Sequence, residues 1–223
     1  TAPTLFSYAG RAQDFWEGTR DHDVSQNIEA LLGSLQSSKP CSILDLGCGP
    51  GRDLADFRNR GHEPIGVDGC EQFCAMARSH SECEVWHQNF LNLELPNERF
   101  DGVFANATLF HVPSVHLPRV LSELHASLKP NGVLFSSNPR GADEEGWNGD
   151  RYGCYHSLST WTSYLTQAGF QAIHHYTDRR GSLETNNLVG ESLEKVLTIR
   201  AEAHRQRRER QKNHWSPTKH SPN

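Results

Sequence analysis

The fold is decided by one stretch of the sequence, Ile43-Leu44-Asp45-Leu46-Gly47-Cys48-Gly49-Pro50-Gly51. Its first half is a short apolar run, which is typical of a buried strand, and its second half is a glycine-rich turn. Glycine removes side chains where a ligand must approach the backbone, and the helix predicted over 53–60 offers unpaired N–H groups at its start. The stretch therefore predicts a strand, a ligand-binding turn and a helix in succession.

The chain around this stretch alternates between short apolar runs and helical segments. Strands are predicted at 42–46, 64–68, 84–87, 100–105 and 132–137, with a sixth from Gly169 to near Tyr176. Helices are predicted at 24–35, 53–60, 71–79, 114–128 and 157–168. Such alternation through short connections forms right-handed βαβ units, which predicts an α/β fold with a parallel sheet covered by helices. The segment Lys195–Ala201 fits either a last strand or the start of a basic helix.

Two regions fall outside this alternation. Residues 139–156 are predicted to form a long polar loop, and loops of this length are usually functional or mobile. The segment from Arg200 to Lys212 is dense in arginine. We therefore divide the chain into an N-terminal cap (1–38), a ligand-binding domain (39–201) and a basic tail (202–223), which we expect to be solvated or disordered.

The composition excludes several classes of protein. The 223 residues are 35% hydrophobic and include 18 glycines, so a sizeable core is expected and wholesale disorder is excluded. The net charge of −5 argues against a general nucleic-acid binder, and no apolar run is long enough for a membrane span. Six cysteines without a secretory signal indicate a reducing compartment, and we expect the cytoplasm. Cys70, Cys74, Cys83 and His80 lack the second donor pair of a zinc site, so no metal is expected.

The spacing of the glycines and acids points to a class of ligand. The sequence has Gly-x-Gly-x-Gly after Asp45, whereas the dinucleotide fingerprint is Gly-x-Gly-x-x-Gly. The Asp45 carboxylate would repel a pyrophosphate but attract an ammonium group. Asp68 ends the second predicted strand, 21 residues after Gly47, where an acid binds ribose hydroxyls. A ligand with an amino-acid end and a ribose but no phosphate fits this pattern, and S-adenosylmethionine is such a ligand.

Two motifs, 43–51 and Val67-Asp68, resemble those of the class I S-adenosylmethionine-dependent methyltransferases. The resemblance implies a Rossmann-like fold with a mostly parallel seven-stranded sheet flanked by helices, here preceded by an N-terminal helical cap. It also implies that Asn89 and Phe90 lie at the adenine and that 106–111 faces the methyl group. The residues expected to bind the cofactor are Asp45, Gly47, Gly49, Gly51, Asp68, Asn89, Phe90, Asn106 and Arg20.

The segments outside these motifs resemble one particular group of methyltransferases. Five of them are similar to the C-terminal methyltransferase domain of ovothiol synthases of the OvoA type, namely 15–27, 83–90, 104–113, 136–141 and 144–152. In that family the domain N-methylates the imidazole of 5-thiohistidine to give ovothiol, and we expect the same reaction here. Asn89 stands where an aspartate is more usual. The family's iron-dependent sulfoxide synthase domain is absent from this sequence, so we expect methyl transfer alone, with such a domain or a partner protein supplying thiohistidine.

The expected chemistry requires orientation more than acid–base catalysis, because a neutral imidazole already offers a lone pair at pH 7. A thiol-bearing imidazole can carry an extra proton, which a modest base would remove. The expected catalytic residues are His111 and His22, as candidate bases, and Asn106.

The substrate needs a hydrogen bond to its second ring nitrogen, a bidentate partner for its carboxylate, and aromatic walls that exclude water. The hydrogen bond is expected from Asn106, Asn138 or Tyr8, and the carboxylate partner is expected to be Arg140 or Arg151. The aromatic walls are expected to be Trp16, Trp147 and Tyr152. Other functions remain open: methylation of another small thiol, amine or imidazole metabolite; RNA binding through the basic tail; or a silent cofactor-binding module that regulates a partner.

Overall fold

The computed structural model describes residues 2–174 and 198–201, in which strands and helices alternate as predicted. The helices are α1 (Ala2–Ala9), α2 (Ala12–Thr19), α3 (Ser25–Leu32), α4 (Arg52–Asn59), α5 (Glu71–Ser81), α6 (Leu117–Ser127) and α7 (Leu158–Gln167). The strands are β1 (Ser42–Leu46), β2 (Glu63–Asp68), β3 (Glu84–His87), β4 (Phe100–Asn106), β5 (Leu128–Ser137), β6 (Glu144–Asn148), β7 (Arg151–Tyr155), β8 (Phe170–His174) and β9 (Thr198–Ala201). Short 3₁₀ turns follow β3 (Phe90–Asn92) and β4 (Leu109–His111).

The main sheet has the strand order β3-β2-β1-β4-β5-β9-β8. Its first five strands are parallel, whereas β9 runs antiparallel to both of its neighbours. The strand order reverses at β1, which has β2 on one side and β4 on the other. In open α/β sheets the carboxyl ends of the strands at such a switch point form a crevice that binds ligands.

Alternating residues of the central strands pack into two separate hydrophobic cores. Val103 of β4 and Leu134 of β5 pack into a cluster with α6 and α7, while Phe104 and Phe135 pack into a second cluster with α3 and α4. Successive side chains of a strand point to opposite faces, so a strand that is apolar at every position must be covered on both sides. Helices therefore flank the sheet on both faces, as the sequence predicted.

The three N-terminal helices pack against two different parts of the molecule. α3 packs on the sheet through Ile28 and Leu31, which are both fully buried. α1 and α2 contact each other, and α1 also contacts α5 and β7. Tyr8, on α1, and Phe15, on α2, meet Phe73 of α5 there. These two helices therefore lie beside the carboxyl edge of the sheet.

Part of the predicted loop at 139–156 forms a β-hairpin, so the loop prediction is wrong there. β6 pairs with β7, with Trp147 opposite Tyr152 and Asn148 opposite Arg151, around the two-residue turn Gly149-Asp150. Most residues of β6 are exposed and polar, so they lack the alternation of apolar residues by which a strand is recognised.

Element boundaries differ from the prediction in two further places. β5 begins at Leu128, so Lys129–Gly132, which was expected to close a helix, lies within the strand. Residues 198–201 form β9, which favours the strand over the basic helix for that part of Lys195–Ala201. The predicted end of the sixth strand near Tyr176 and the basic tail 202–223 lie outside the described residues. Among the described helices, none has the length and hydropathy needed to cross a membrane.

Candidate functional site

A cavity of about 560 Å³ lies at the carboxyl ends of β1, β2, β4 and β5. Its floor is the glycine turn after β1, and α1 and α2 contribute Tyr8, Phe15 and Trp16 to its wall. A volume of this size is typical of small-ligand and cofactor sites.

The glycine turn has a backbone that other residues rarely adopt. Gly47, Gly49 and Gly51 all have positive φ, at 74°, 53° and 94°. A Cβ on Gly47 would overlap the side chain of Thr108, and one on Gly51 would lie 2.7 Å from the Cα of Ala77. Gly47 and Gly49 line the cavity, whereas Gly51 packs against α5 at the start of α4.

The two predicted acids are buried beside this turn. Asp68 lines the cavity, and its two carboxylate oxygens accept the N–H groups of Gly49 (3.0 Å) and Cys70 (2.8 Å). Burial raises the pKa of Asp68 to about 6. Asp45 lies behind the turn on β1, where burial raises its pKa well above the usual range. Within the described part of the chain, its Oδ2 atom has no hydrogen-bond partner.

A polar network holds Asn106 at the end of β4. Its Oδ1 atom accepts from Asn27 Nδ2 (2.9 Å) and Ser137 Oγ (2.7 Å), and its Nδ2 atom donates to Asp53 Oδ2 (3.3 Å). Asp53 pairs with Arg52, Nε to Oδ1, at 2.7 Å. The network therefore links α3, the start of α4 and two strand ends, and it fixes the orientation of the Asn106 amide.

His111 and Tyr8 form a hydrogen-bonded pair in the cavity wall. Tyr8 Oη lies 2.9 Å from His111 Nε2, and His111 Nδ1 lies 2.6 Å from the carbonyl oxygen of Tyr152. Burial lowers the pKa of His111 to about 4, so the imidazole is neutral at pH 7. Both ring nitrogens are occupied, which leaves His111 no nitrogen with which to take a proton directly from a substrate.

Aromatic rings close the cavity on the side of the N-terminal helices. Tyr8, Phe15 and Phe73 contact one another with ring centroids 5.1–5.6 Å apart. Trp16 stacks on His80 at 4.3 Å, and His80 is fixed by the carbonyl oxygen of Pro50 (2.9 Å). The wall of the cavity on this side is therefore largely aromatic.

Comparison with known proteins agrees with this geometry. The model of the methyltransferase domain family matches residues 43–132. Trans-aconitate 2-methyltransferase of Azoarcus sp. (strain BH72) is 34% identical over 116 residues, which are 51% of this chain and 45% of that protein. Ubiquinone biosynthesis O-methyltransferase of Rhodopseudomonas palustris (strain TIE-1) is 33% identical over 113 residues, 49% and 44% of the two chains. Residues 43–132 of this chain are therefore similar to a methyltransferase domain.

A solved structure shares the fold of residues 43–132 and of the elements around them. It is the 1,6-didemethyltoxoflavin-N1-methyltransferase of Burkholderia thailandensis with bound 1,6-didemethyltoxoflavin and S-adenosylhomocysteine, with a TM-score of 0.68. The match covers 89% of this chain and 85% of that chain at 21% identity, which shows a common fold. The chain spans just under half the length of the two curated relatives.

S-adenosylmethionine is the cofactor of methyltransferases of the matching family, and two observations show that the residues fit it. Gly47 and Gly49 line the cavity without side chains, and Asp68 places a carboxylate on the cavity wall. The cofactor contributes an ammonium group and ribose hydroxyls, which are donors that carboxylates bind.

Most of the predicted site residues line the cavity. Those that line it are Tyr8, Trp16, His22, Gly47, Gly49, Asp68, Asn89, Phe90, Asn106, His111 and Asn138. Asn138 is buried between the backbone N–H of Phe110 and the hydroxyl of Ser136. Asn89 caps the 3₁₀ turn 90–92 by accepting the N–H of Leu91.

The remaining predicted residues do not line the cavity: Arg20, Asp45, Gly51, Arg140, Trp147, Arg151 and Tyr152. Arg20 is exposed beside Asp21, and Trp147 is 53% exposed with its ring against that of Tyr152. The expectation that the Trp147 and Tyr152 side chains form a wall of the site is not met, because neither lines the cavity. The hairpin instead contacts the cavity wall through the carbonyl oxygen of Tyr152, which accepts from His111. Arg151 lies over the ring of Tyr8, with Cζ 5.6 Å from the centroid.

Several residues of the site were missed by the sequence analysis. Phe15 and Phe73 complete the aromatic wall, and Asn27 and Asp53 orient Asn106. The adjacent aromatic pair Phe15-Trp16 was a usable signal, but the polar network joins residues from separate elements and left no local pattern. Among the described residues, no cluster of three or more His, Cys, Asp or Glu side chains forms a candidate metal site.

Proposed function

We propose that this chain transfers the methyl group of S-adenosylmethionine to a ring nitrogen of a small imidazole, and that 5-thiohistidine is the substrate. One observation supports this most directly. Of the five segments that resemble ovothiol synthases, four contribute side chains to the single cavity described above: 15–27, 83–90, 104–113 and 136–141. The fifth, 144–152, reaches the same wall through the Tyr152 carbonyl oxygen, which accepts from His111.

In this proposal, the glycine turn and Asp68 would hold the cofactor. Gly47 and Gly49 would pass beside its amino-acid end, Asp68 would accept from its ribose hydroxyls, and Asn89 and Phe90 would lie at its adenine. When bound, S-adenosylmethionine supplies a methyl group on a positively charged sulfur. The aromatic wall of Tyr8, Phe15 and Phe73 favours a positive charge nearby and keeps water away.

The chain's main contribution to the reaction would be orientation. Holding the reacting atoms in line lowers the barrier by several kcal/mol without any acid or base. The fixed groups are the Asn106 amide, locked by three hydrogen bonds, and the Tyr8–His111 pair. The exposed guanidinium of Arg151 lies next to Tyr8 and is the better placed of the two predicted partners for a substrate carboxylate.

The test is product formation by the purified chain. The protein is incubated with S-adenosylmethionine and, separately, with 5-thiohistidine, histidine and a panel of small thiols and amines, and products are identified by mass spectrometry and NMR. N-methylation of 5-thiohistidine is expected, and the Asp68→Ala variant, as a control, should lose most of it. Methylation of another panel member with none of thiohistidine would overturn the substrate while keeping the activity. Methylation of no panel member, with tight cofactor binding, would favour a silent cofactor-binding module.

A further inference from the structure

Two consecutive hydrogen bonds, Tyr152–His111 and His111–Tyr8, connect the hairpin β6–β7 to the cavity. The donor and the acceptor of each can be assigned. A carbonyl oxygen can only accept, so the proton between Tyr152 and His111 must lie on Nδ1 of the imidazole. The neutral imidazole then has a lone pair on Nε2, which can only accept. The hydroxyl of Tyr8 must therefore donate its proton to Nε2 across the 2.9 Å between them.

The surroundings keep both groups in these forms. Burial lowers the pKa of His111 to about 4, and the positive charge of Arg151 adds to the effect. Burial also raises the pKa of Tyr8, so its hydroxyl keeps its proton. Tyr8 lines the cavity, and with its proton committed to His111 its oxygen can only accept further hydrogen bonds. The Arg151 guanidinium, which lies over the same ring, also donates a hydrogen bond to the Tyr8 side chain, which leaves one lone pair of the oxygen for a ligand.

We propose that Tyr8 determines the specificity of this site, because its oxygen accepts the N–H of an azole ring and so selects the tautomer whose other nitrogen carries the lone pair. The inference rests on the proposed function and names the substrate class more narrowly, as neutral azoles with an N–H across the ring from the methylated nitrogen. The N–H proton stays on the ring during the transfer, so the reaction needs no proton acceptor. His111 is a positioning residue that acts through Tyr8.

The other residues predicted to bind the second ring nitrogen are already engaged. Asn106 uses its Oδ1 atom for two protein donors, and Asn138 accepts from Phe110 and donates to Ser136. An azole N–H that found no acceptor in the site would be buried without a partner, which costs about tenfold in affinity or more. Tyr8 is therefore the acceptor to test.

The first readout needs no ligand. ¹⁵N NMR of the histidine-labelled protein at pH 7 should show His111 as the neutral tautomer with its proton on Nδ1, and this signal should not titrate between pH 5.5 and 8. A proton on Nε2 would make Tyr8 a donor to the cavity and would overturn the inference.

The second readout is a preference between matched ligands. Calorimetry measures the affinity of a 4-substituted imidazole and of the thiazole in which sulfur replaces the N–H, with and without S-adenosylhomocysteine. The wild type should prefer the imidazole by about tenfold or more. Tyr8→Phe should reduce the preference to about twofold or less, and His111→Phe should also reduce it because Tyr8 can then turn its proton toward the ligand. Tyr164→Phe removes a hydroxyl outside the cavity and should leave the preference intact.

The two proposals fail in different ways. A protein that shows the Nδ1–H tautomer and the imidazole preference but methylates no azole contradicts the proposed function alone. A protein that N-methylates thiohistidine while Tyr8→Phe keeps the wild-type preference contradicts the role of Tyr8 alone.

Discussion

Of the residues in the site, Gly47 is the one that tolerates substitution least. Its φ of 74° costs any other residue roughly 1–2 kcal/mol, and a Cβ there would also overlap Thr108. Gly61 is a matched control, because its φ of 81° carries the same backbone cost while nothing lies within 4 Å of an added Cβ. Gly47→Ala should weaken S-adenosylhomocysteine binding at least about tenfold, whereas Gly61→Ala should lower only the free energy of unfolding, by about 1 kcal/mol. Equal affinities in the two variants, measured by calorimetry, would show that the turn does not hold the cofactor.

Asp68 gives the site a pH dependence whose direction can be worked out. Burial raises its pKa from 3.8 to about 6, so the folded protein binds this proton more tightly than the unfolded chain does. The ionised form therefore destabilises the free protein above pH 6, and this cost disappears as the pH falls toward 4. Ribose hydroxyls donate to the ionised form, so affinity for S-adenosylhomocysteine should move the opposite way and fall below pH 6.

Calorimetry from pH 8 to 5 tests this, with an expected loss of up to about tenfold per pH unit below the pKa. Asp68→Asn should bind more weakly and with a flatter profile, because its side chain does not titrate. If the wild type and Asp68→Asn lose affinity in parallel, another group controls the binding.

At this scale the sequence predicts residues whose role is local. The positions of Gly47 and Asp68 at the cavity could be predicted because a turn and the residue that ends a strand are set by neighbours in the chain. His111 was predicted as a base, but its state depends on Tyr152 and Tyr8, which lie 41 and 103 residues away. Its burial and its tautomer come from packing, which no pattern near position 111 records.

At the scale of elements, the hairpin β6–β7 is the feature that sequence reasoning missed. A strand is recognised by apolar alternation, and β6 is exposed and polar along most of its length. The hairpin instead makes individual hydrogen bonds: Tyr152 N–H donates to Thr4 Oγ1 on α1 (3.0 Å), and Asp150 accepts from Ser7 on α1 (2.7 Å) and from Arg11, the N-cap residue of α2. The hairpin and α1 therefore support each other beside the cavity.

Removing the Asp150 contacts should loosen these two elements without unfolding the protein. Arg11 and Asp150 are both more than half exposed, and pairs of that kind contribute about 1 kcal/mol or less. Asp150→Asn should therefore change the free energy of unfolding little, while hydrogen exchange becomes faster in 2–9 and 144–155. Asp14→Asn makes the same charge change on α2 and should leave exchange in both segments as it is. Equal exchange in the two variants would mean that Asp150 does not hold the hairpin to α1.

At the scale of the whole molecule, the order of the parallel strands determines where the site lies. Alternating apolar runs and helices predicted the sheet, and the switch of strand order at β1 opens the crevice at its carboxyl edge. The order of elements does not predict the cavity wall that lies opposite the sheet. That wall comes from α1 and α2, which contact the rest of the molecule through side chains from separate positions, such as Tyr8, Phe15 and Trp16.

A ligand in this cavity should therefore join the N-terminal helices to the sheet. S-adenosylhomocysteine at about 100 times its dissociation constant stabilises a protein that binds it by about 2.7 kcal/mol, which for a chain of this length raises the Tm by roughly 5–10 °C. Hydrogen exchange should slow in 47–51, and also in 2–9 and 12–19, because α1 and α2 line the same cavity. Adenosine at equal concentration lacks the amino-acid end and should produce a smaller shift. A rise in Tm with protection confined to the sheet edge would mean that α1 and α2 do not close over the cofactor.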